Sequence, residues 1–295
     1  MLTKKQFEIL DTLIENKQVH TQRGIAACVG MSVGSVNKII SELTELGYVN
    51  GGKVTEKGYA VMENYRVKRA VFIAAGFGSR LVPITLNTPK PLVRVKGERI
   101  IDTLLDALKA AEIEEIYVIR GYLGEQFDQL LYKYPNIKFI ENPYYNEANN
   151  ISSVVCAGEL VKNAYIFEAD LLLSNKALIK KYQYSSNYLG IPVERTDDWC
   201  LYLKDGYVSK LTIGGTNCHQ LVGISYWTET DGAKLCEDAK KVYASPGGKE
   251  RYWDQVVLEY CIDNYKVSVR DCQFSDVVEI DSLSELQQID KSYRM

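Results

Sequence analysis

At 295 residues, with 46% hydrophobic and 25% charged residues, the chain has room for one small and one enzyme-sized domain, and its composition excludes extensive disorder. The formal charge of -3 divides into 8 Lys+Arg against 7 Asp+Glu over residues 1–66 and 27 against 31 beyond them. Neither part carries the strongly basic surface of a dedicated nucleic-acid binder. Seven cysteines are scattered without a C-x-x-C pair and read as reduced thiols of a cytoplasmic protein; two histidines are too few for a His-rich metal site. No apolar run approaches the roughly 18 residues that span a membrane, so no membrane segment is expected.

The first 66 residues predict three helices, a short hairpin and a fourth helix. Phe7, Leu10, Leu13 and Ile14 recur at helical spacing. Thr21 is placed to cap a second helix carrying Ile25, Ala26 and Val29. Ser32 caps a third with Val33, Val36, Ile39, Ile40, Leu43 and Leu46 on its buried side. Tyr48-Val49 and Lys53-Val54 flank Asn50-Gly51-Gly52, a tight turn and a very short wing, and Thr55 opens a last helix through Tyr65. Over this segment the pattern resembles the winged helix-turn-helix of MarR-type regulators. A linker at about 66–69 lacks Gly, Ser and Pro and is too short for a flexible tether.

From Ala70 the rhythm becomes β-α-β. Strands are expected at Val71–Ala75, Ile116–Ile119, Ile137–Ile140 and Tyr165–Glu168, alternating with helices at Ile100–Ala111, Gly124–Tyr132 and Ile151–Val161. This order predicts an α/β, Rossmann-like fold: a mixed, mostly parallel sheet with helices on both faces, over residues 69–295. Antiparallel strands follow at Leu201–Leu203, Tyr207–Ile213 and Leu221–Trp227, then helices at Asp231–Val242 and Tyr252–Asn264. A final helix opens with the capping box Ser282-x-x-Glu285.

The strongest motif is Gly76-x-Gly78-Ser79-Arg80-x₄-Thr85-x₃-Pro89-Lys90, directly after the first strand. Glycines let backbone N–H groups approach phosphate oxygens, Arg80 adds a permanently charged fork, and Pro89 stiffens the delivery of Lys90. The G-x₄-G-K-[ST] order of a Walker loop is absent. Asp170 ends an apolar strand, where open α/β sheets bind ligands, and Asp254 lies early in a later helix. Together they suit Mg²⁺ bound by two carboxylates plus substrate phosphates. Trp199, Tyr252 and Trp253 are large rings for this region; Trp199 and Tyr252 suit a cage for a quaternary ammonium, whereas Trp253 and Trp227 suit the core.

Ala74-Ala75-Gly76-x-Gly78-Ser79-Arg80 followed by Thr88-Pro89-Lys90 resembles the signature of the nucleoside-diphosphate-sugar pyrophosphorylase superfamily. Within it, Gly121-Tyr122-x₂-Glu125-Gln126-Phe127, Tyr145-x₃-Asn149-Asn150, Glu168-Ala169-Asp170, Trp199, Tyr252-Trp253-Asp254 and Glu279-Ile280-Asp281-Ser282 are similar to the bacterial CTP:phosphocholine cytidylyltransferases. The resemblance implies a nucleotidyltransferase joining CTP to phosphocholine, with CDP-choline and pyrophosphate as products. It implies nucleotide contacts at Ala75, Gly76, Gly78, Ser79, Arg80, Asn150 and Ser152, catalytic roles for Arg80, Lys90, Asp170 and Asp254, metal at Asp170 and Asp254, and choline at Trp199 and Tyr252. Loop polarity explains Asn150 and Ser152 equally well. A sugar-1-phosphate nucleotidyltransferase and a transcription regulator with a nucleotide-sensing domain are the alternatives. The recognition helix offers Ser32, Ser35, Asn37 and Lys38, with only one cation, and the wing carries Lys53, which suits weak DNA binding or a docking or dimerisation module; an oligomer is compatible with either.

Overall fold

A computed structural model describes residues 1–16 and 21–294, and the chain divides into two compact units. The first comprises Met1–Arg66 with Tyr182–Tyr184. Helices α1 (Lys4–Glu15), α2 (Gln22–Val29) and α3 (Val33–Glu45) begin at Thr3, Thr21 and Ser32, whose side chains accept backbone N–H groups that a first helical turn leaves unpaired. Strands β1 (Val49–Asn50) and β2 (Lys53–Val54) pair antiparallel as the wing, and α4 (Glu56–Met62) starts at the Thr55 cap. Phe7, Leu10, Ile25, Val36, Ile39, Leu43 and Met62 fill the core of this winged helix. Val33 and Leu46, expected on the buried stripe of α3, are instead exposed, because they occupy its first residue and its C-cap, at the two ends of the packed stretch.

The second unit, Val67–Lys181 with the chain from Ser185 onward, opens with β3 (Arg69–Ala74) and a long loop of 3₁₀ turns. There follow β4 (Arg94–Val95), β5 (Glu98–Arg99), α5 (Ile100–Ala110), β6 (Glu115–Arg120), β7 (Ile137–Glu141), α6 (Ile151–Ala157), β8 (Ala164–Glu168) and β9 (Leu171–Leu173). The remainder is β10 (Asn187–Lys204), β11 (Tyr207–Trp227), α7 (Glu229–Ala244), α8 (Trp253–Gln255), β12 (Ser268–Asp271), β13 (Val277–Glu279) and α9 (Leu283–Ile289). Seven strands form one sheet in the order β12-β10-β11-β8-β3-β6-β7, with only β11 running against the others.

Strand β3 shows why the sheet is covered on both faces. Ala70, Phe72 and Ala74 pack on one side with Leu104 and Leu108 of α5 and with Phe127. Val71 and Ile73 pack on the other with Ile151 and Val154 of α6, Leu235 of α7 and Trp253 of α8. An alternating strand buried on both faces is what a parallel α/β sheet requires.

Four expectations differ in form, the first being the helix over Gly124–Tyr132, which is a 3₁₀ helix. The separate strands expected between Leu201 and Trp227 are parts of one long hairpin, β10 with β11, whose register shifts at several points interrupt the alternation. The helix expected over Tyr252–Asn264 is one turn of α-helix, a π turn at Val256–Tyr260 and a 3₁₀ turn at Ile262–Asn264. Residues 151–161 break at Gly158, which takes φ +52°, before a 3₁₀ turn. No single described helix is long and apolar enough to cross a membrane.

Candidate active site

The loop after β3 folds back on itself around Gly78. This residue adopts φ +62°, and a Cβ on it would lie 2.9 Å from Lys90 Cβ and 3.2 Å from Thr85 Cγ2, so only glycine fits. Thr85 donates its hydroxyl to the Gly78 carbonyl at 2.9 Å. The motif from Gly121 braces the loop from outside: Tyr122 OH lies within donating distance of the carbonyls of Thr85 (3.0 Å) and Leu86 (3.2 Å), and Gln126 donates to that of Asn87 at 2.9 Å. Ala75 is buried, its carbonyl bound to the Tyr122 N–H, whereas Gly76 and Ser79 are exposed. The N–H groups of Gly76, Phe77 and Gly78 make no hydrogen bond among the described residues, which leaves them free to meet an anion.

Lys90 lies buried beneath this loop. Its Nζ donates to Asp170 Oδ2 at 2.7 Å and to Asp281 Oδ1 at 3.0 Å; Arg80, largely exposed, donates to the same Asp281 oxygen at 2.8 Å. Burial pushes the Lys90 ammonium down, but the two carboxylates outweigh it and hold the pKa above its ordinary value. Asp281 arrives from the far end of the chain because β13 pairs antiparallel with β9, directly after Asp170, with the Ile280 N–H bonded to the Asp170 carbonyl at 3.2 Å. The backbone N–H groups of Asp281 and Ser282 both donate to Glu285, within the capping box that opens α9.

Oxygens of Asp170, Glu279 and Asp281 lie within 4.8 Å of one another. Asp170 Oδ1 is buried without a hydrogen-bond partner among the described residues, an unmet acceptor that a cation fits. Glu279 keeps solvent access, yet desolvation by the surrounding walls and the charges of Asp170 and Asp281 raise its pKa to about 8. Asp254, which sequence reasoning pairs with Asp170 as a metal ligand, stands outside this group. It is carried by α8, and Tyr188 OH donates to its Oδ1 at 2.7 Å. Burial raises its pKa to about 6 against the pull of that bond.

A cleft of about 220 Å³ brings together Arg80, Asp254 and the clustered Asp170, Glu279 and Asp281. Six carboxylates line it (Glu168, Asp170, Asp198, Asp254, Glu279 and Asp281) against one basic side chain, Arg80. Trp199 and Tyr252 line it too, their rings 6.0 Å apart at 66°. Trp253 and Trp227 are fully buried in the core, as their surroundings on the sheet require. Asn150 reaches the cleft but is committed within the protein: its amide donates to Glu168 Oε1 at 3.1 Å and its carbonyl accepts the Trp253 N–H at 2.9 Å. Ser152, expected to touch base or ribose, is 1% exposed and does not line the cleft; it donates to the Asn149 carbonyl and accepts from Asn142, which satisfies it internally. Sequence reasoning did not single out Glu168, Asp198, Glu279 or Asp281 as site residues. The signal that could have found the last two was the quoted Glu279-Ile280-Asp281-Ser282 run.

Comparison with known proteins shows the family. A family model described as nucleotidyl transferase matches residues 69–189, and one described as winged helix-turn-helix DNA-binding matches residues 2–50. A 2-aminoethylphosphonate cytidylyltransferase of Lancefieldella rimae is 35% identical over 78% of this chain and 95% of its own length. A choline-phosphate cytidylyltransferase of Streptococcus pneumoniae is 32% identical over 76% of this chain and 97% of its own. The solved structure of the CTP:phosphocholine cytidylyltransferase from Streptococcus pneumoniae superposes with a TM-score of 0.70 at 31% identity, covering 78% of this chain and all of that one. The chain is therefore a nucleotidyltransferase of the cytidylyltransferase family, with a winged helix at its N-terminus.

Proposed function

We propose that the enzyme transfers CMP from CTP to an oxyanion of a small phosphorus acid that carries a cationic nitrogen, with phosphocholine as the acceptor. The observation that carries this reading is the cleft itself, where two rings and six carboxylates converge beside the glycine loop. Rings attract a quaternary ammonium through their faces, and a sugar phosphate would need neutral polar groups instead. A second reading, 2-aminoethylphosphonate as acceptor, is favoured by the half-buried Glu168 and Asp254, whose carboxyls desolvation pushes up and a nitrogen that still bears protons would recharge, and by the 35% identical relative.

In the reaction an acceptor oxygen attacks the α-phosphorus of CTP in line. One P–O bond forms, the bond to the bridging oxygen breaks, and pyrophosphate leaves with that electron pair, so no proton need move. The free N–H groups of Gly76–Gly78 and the Arg80 guanidinium hold the triphosphate. Lys90 fixes Asp170 and Asp281 in register and balances their charge. Asp170 and Asp281, with Glu279 beside them, would hold Mg²⁺, which supplies charge neutralisation on the phosphates when bound. Trp199 and Tyr252 seat the cation and orient the acceptor.

Pyrophosphate release with phosphocholine and each of CTP, UTP and ATP tests the reading. Release with CTP well above the other two is expected. No release with CTP and either amine-bearing acceptor would remove the proposal.

A further inference from the structure

Glu168 ends β8 and lines the cleft, yet no salt bridge or metal-site contact among the described residues uses it. Its Oε1 is doubly occupied: the Trp253 indole N–H donates to it at 3.0 Å and the Asn150 amide at 3.1 Å. Asn150 is fixed in turn by the Trp253 backbone N–H, and Trp253 is fully buried, so the carboxylate cannot swing without breaking several bonds at once. Oε2 has no hydrogen-bond partner among the described residues. Beside it on β11 stands Gly223, where a Cβ would lie 2.4 Å from Glu168 Cγ, so the neighbouring strand makes room for this side chain and for little else.

Facing an ammonium, whose charge favours the ionised form, a carboxylate with one oxygen locked and the other free is a directional acceptor. It distinguishes cations by whether they carry an N–H. Charge-assisted hydrogen bonds are about twice as strong as neutral ones, and leaving such an acceptor unmet when a ligand displaces water is costly. A site built to accept a substrate N–H therefore rejects the analogue that lacks one far better than an apolar pocket could.

Resting on the acceptor class proposed above, we infer that Glu168 is a specificity-determining residue: its free oxygen accepts an N–H from a primary, secondary or tertiary ammonium and finds no partner on a trimethylammonium. The rings of Trp199 and Tyr252 act in the opposite sense, rewarding methylation. The enzyme's choice of amine is the balance of the two.

The test uses the intact protein, CTP and phosphoethanolamine with none, one, two or three N-methyl groups, the last being phosphocholine. kcat/KM is measured for the wild type and for Glu168→Gln, whose side-chain carbonyl can keep the Trp253 and Asn150 bonds. The quotient of the two profiles cancels the ring contribution. It should be flat, at roughly 10- to 100-fold in favour of the wild type, across the acceptors that retain an N–H, and should fall to within about 5-fold at phosphocholine. Unchanged CTP affinity and thermal midpoint establish that the variant folds. Should it not fold, Glu168→Asp, which keeps the charge and shortens the reach, must show the same step. A quotient without a step at the last methyl group overturns the inference while leaving the proposed activity intact. A wild type that uses none of the four amines removes both the inference and phosphocholine as the acceptor.

Discussion

Replacing Lys90 by methionine should destabilise the metal-free enzyme substantially and the Mg²⁺-bound enzyme much less. The ammonium lies 2.7 Å from Asp170 and 3.0 Å from Asp281, with its own side chain 10% exposed and those of its partners 20% and 27% exposed. At an effective dielectric of about 20, each attraction is worth roughly 6 kcal/mol before desolvation. Removing one member of a buried pair costs about 3–5 kcal/mol. Residual solvent at the two aspartates lowers this to roughly 2–4 kcal/mol. Lys90→Met leaves Asp170, Glu279 and Asp281 crowded without their cation, so a divalent ion should restore much of the loss. All three tryptophans lie in the catalytic unit, so urea unfolding followed by tryptophan fluorescence reports that unit. The account predicts a wide gap between wild type and variant in EDTA, narrowing as Mg²⁺ is added. A gap of the same size with and without Mg²⁺ would show that the ion and the lysine do not share these carboxylates.

Asp281→Asn should raise the Mg²⁺ concentration needed for half-maximal rate by roughly 10-fold or more, whereas Asp254→Asn should mainly raise the acceptor KM; titrating Mg²⁺ and acceptor separately distinguishes them, and the reverse pattern would restore Asp254 to the metal. Trp199→Ala should raise KM for phosphocholine about 2- to 30-fold with CTP binding nearly unchanged. Trp199→Phe should recover more than Trp199→Leu, and equal recovery would reduce the ring to apolar packing. At physiological salt, DNA binding by the intact protein should be weaker than micromolar and should fall steeply as salt rises, because residues 1–66 are nearly neutral in charge. Nanomolar, sequence-selective binding in a gel-shift assay would contradict that.

Features carried by local sequence were legible before the structure. Thr21, Ser32, Thr55 and Ser282 cap helices where their hydroxyls precede apolar periodicity, and the Gly76–Lys90 loop and Asp170 fall at strand ends in one unit. Features that depend on distant pairing were not. Asp281 reaches Asp170 only because three residues of β13 pair with β9 more than 100 positions earlier, and in sequence it reads as the approach to a helix cap. Asp254 lies early in a helix and matches the family's second aspartate, which in sequence points to the metal; in the structure Tyr188 OH donates to it, and the clustered oxygens are those of Asp170, Glu279 and Asp281. Ser152 shows the limit of reading polarity as function, since a small hydroxyl is equally at home bonded inside the fold.

We propose that the chain makes cytidylyl adducts of amine-bearing phosphorus acids. This is tested most directly by incubating the protein with CTP, Mg²⁺ and equimolar phosphocholine, 2-aminoethylphosphonate and glucose-1-phosphate, and identifying the products by mass. The account predicts CMP joined to one or both amine-bearing acids, one pyrophosphate for each adduct, and negligible sugar product. A nucleotide sugar as the main product, or CTP left intact, would contradict it.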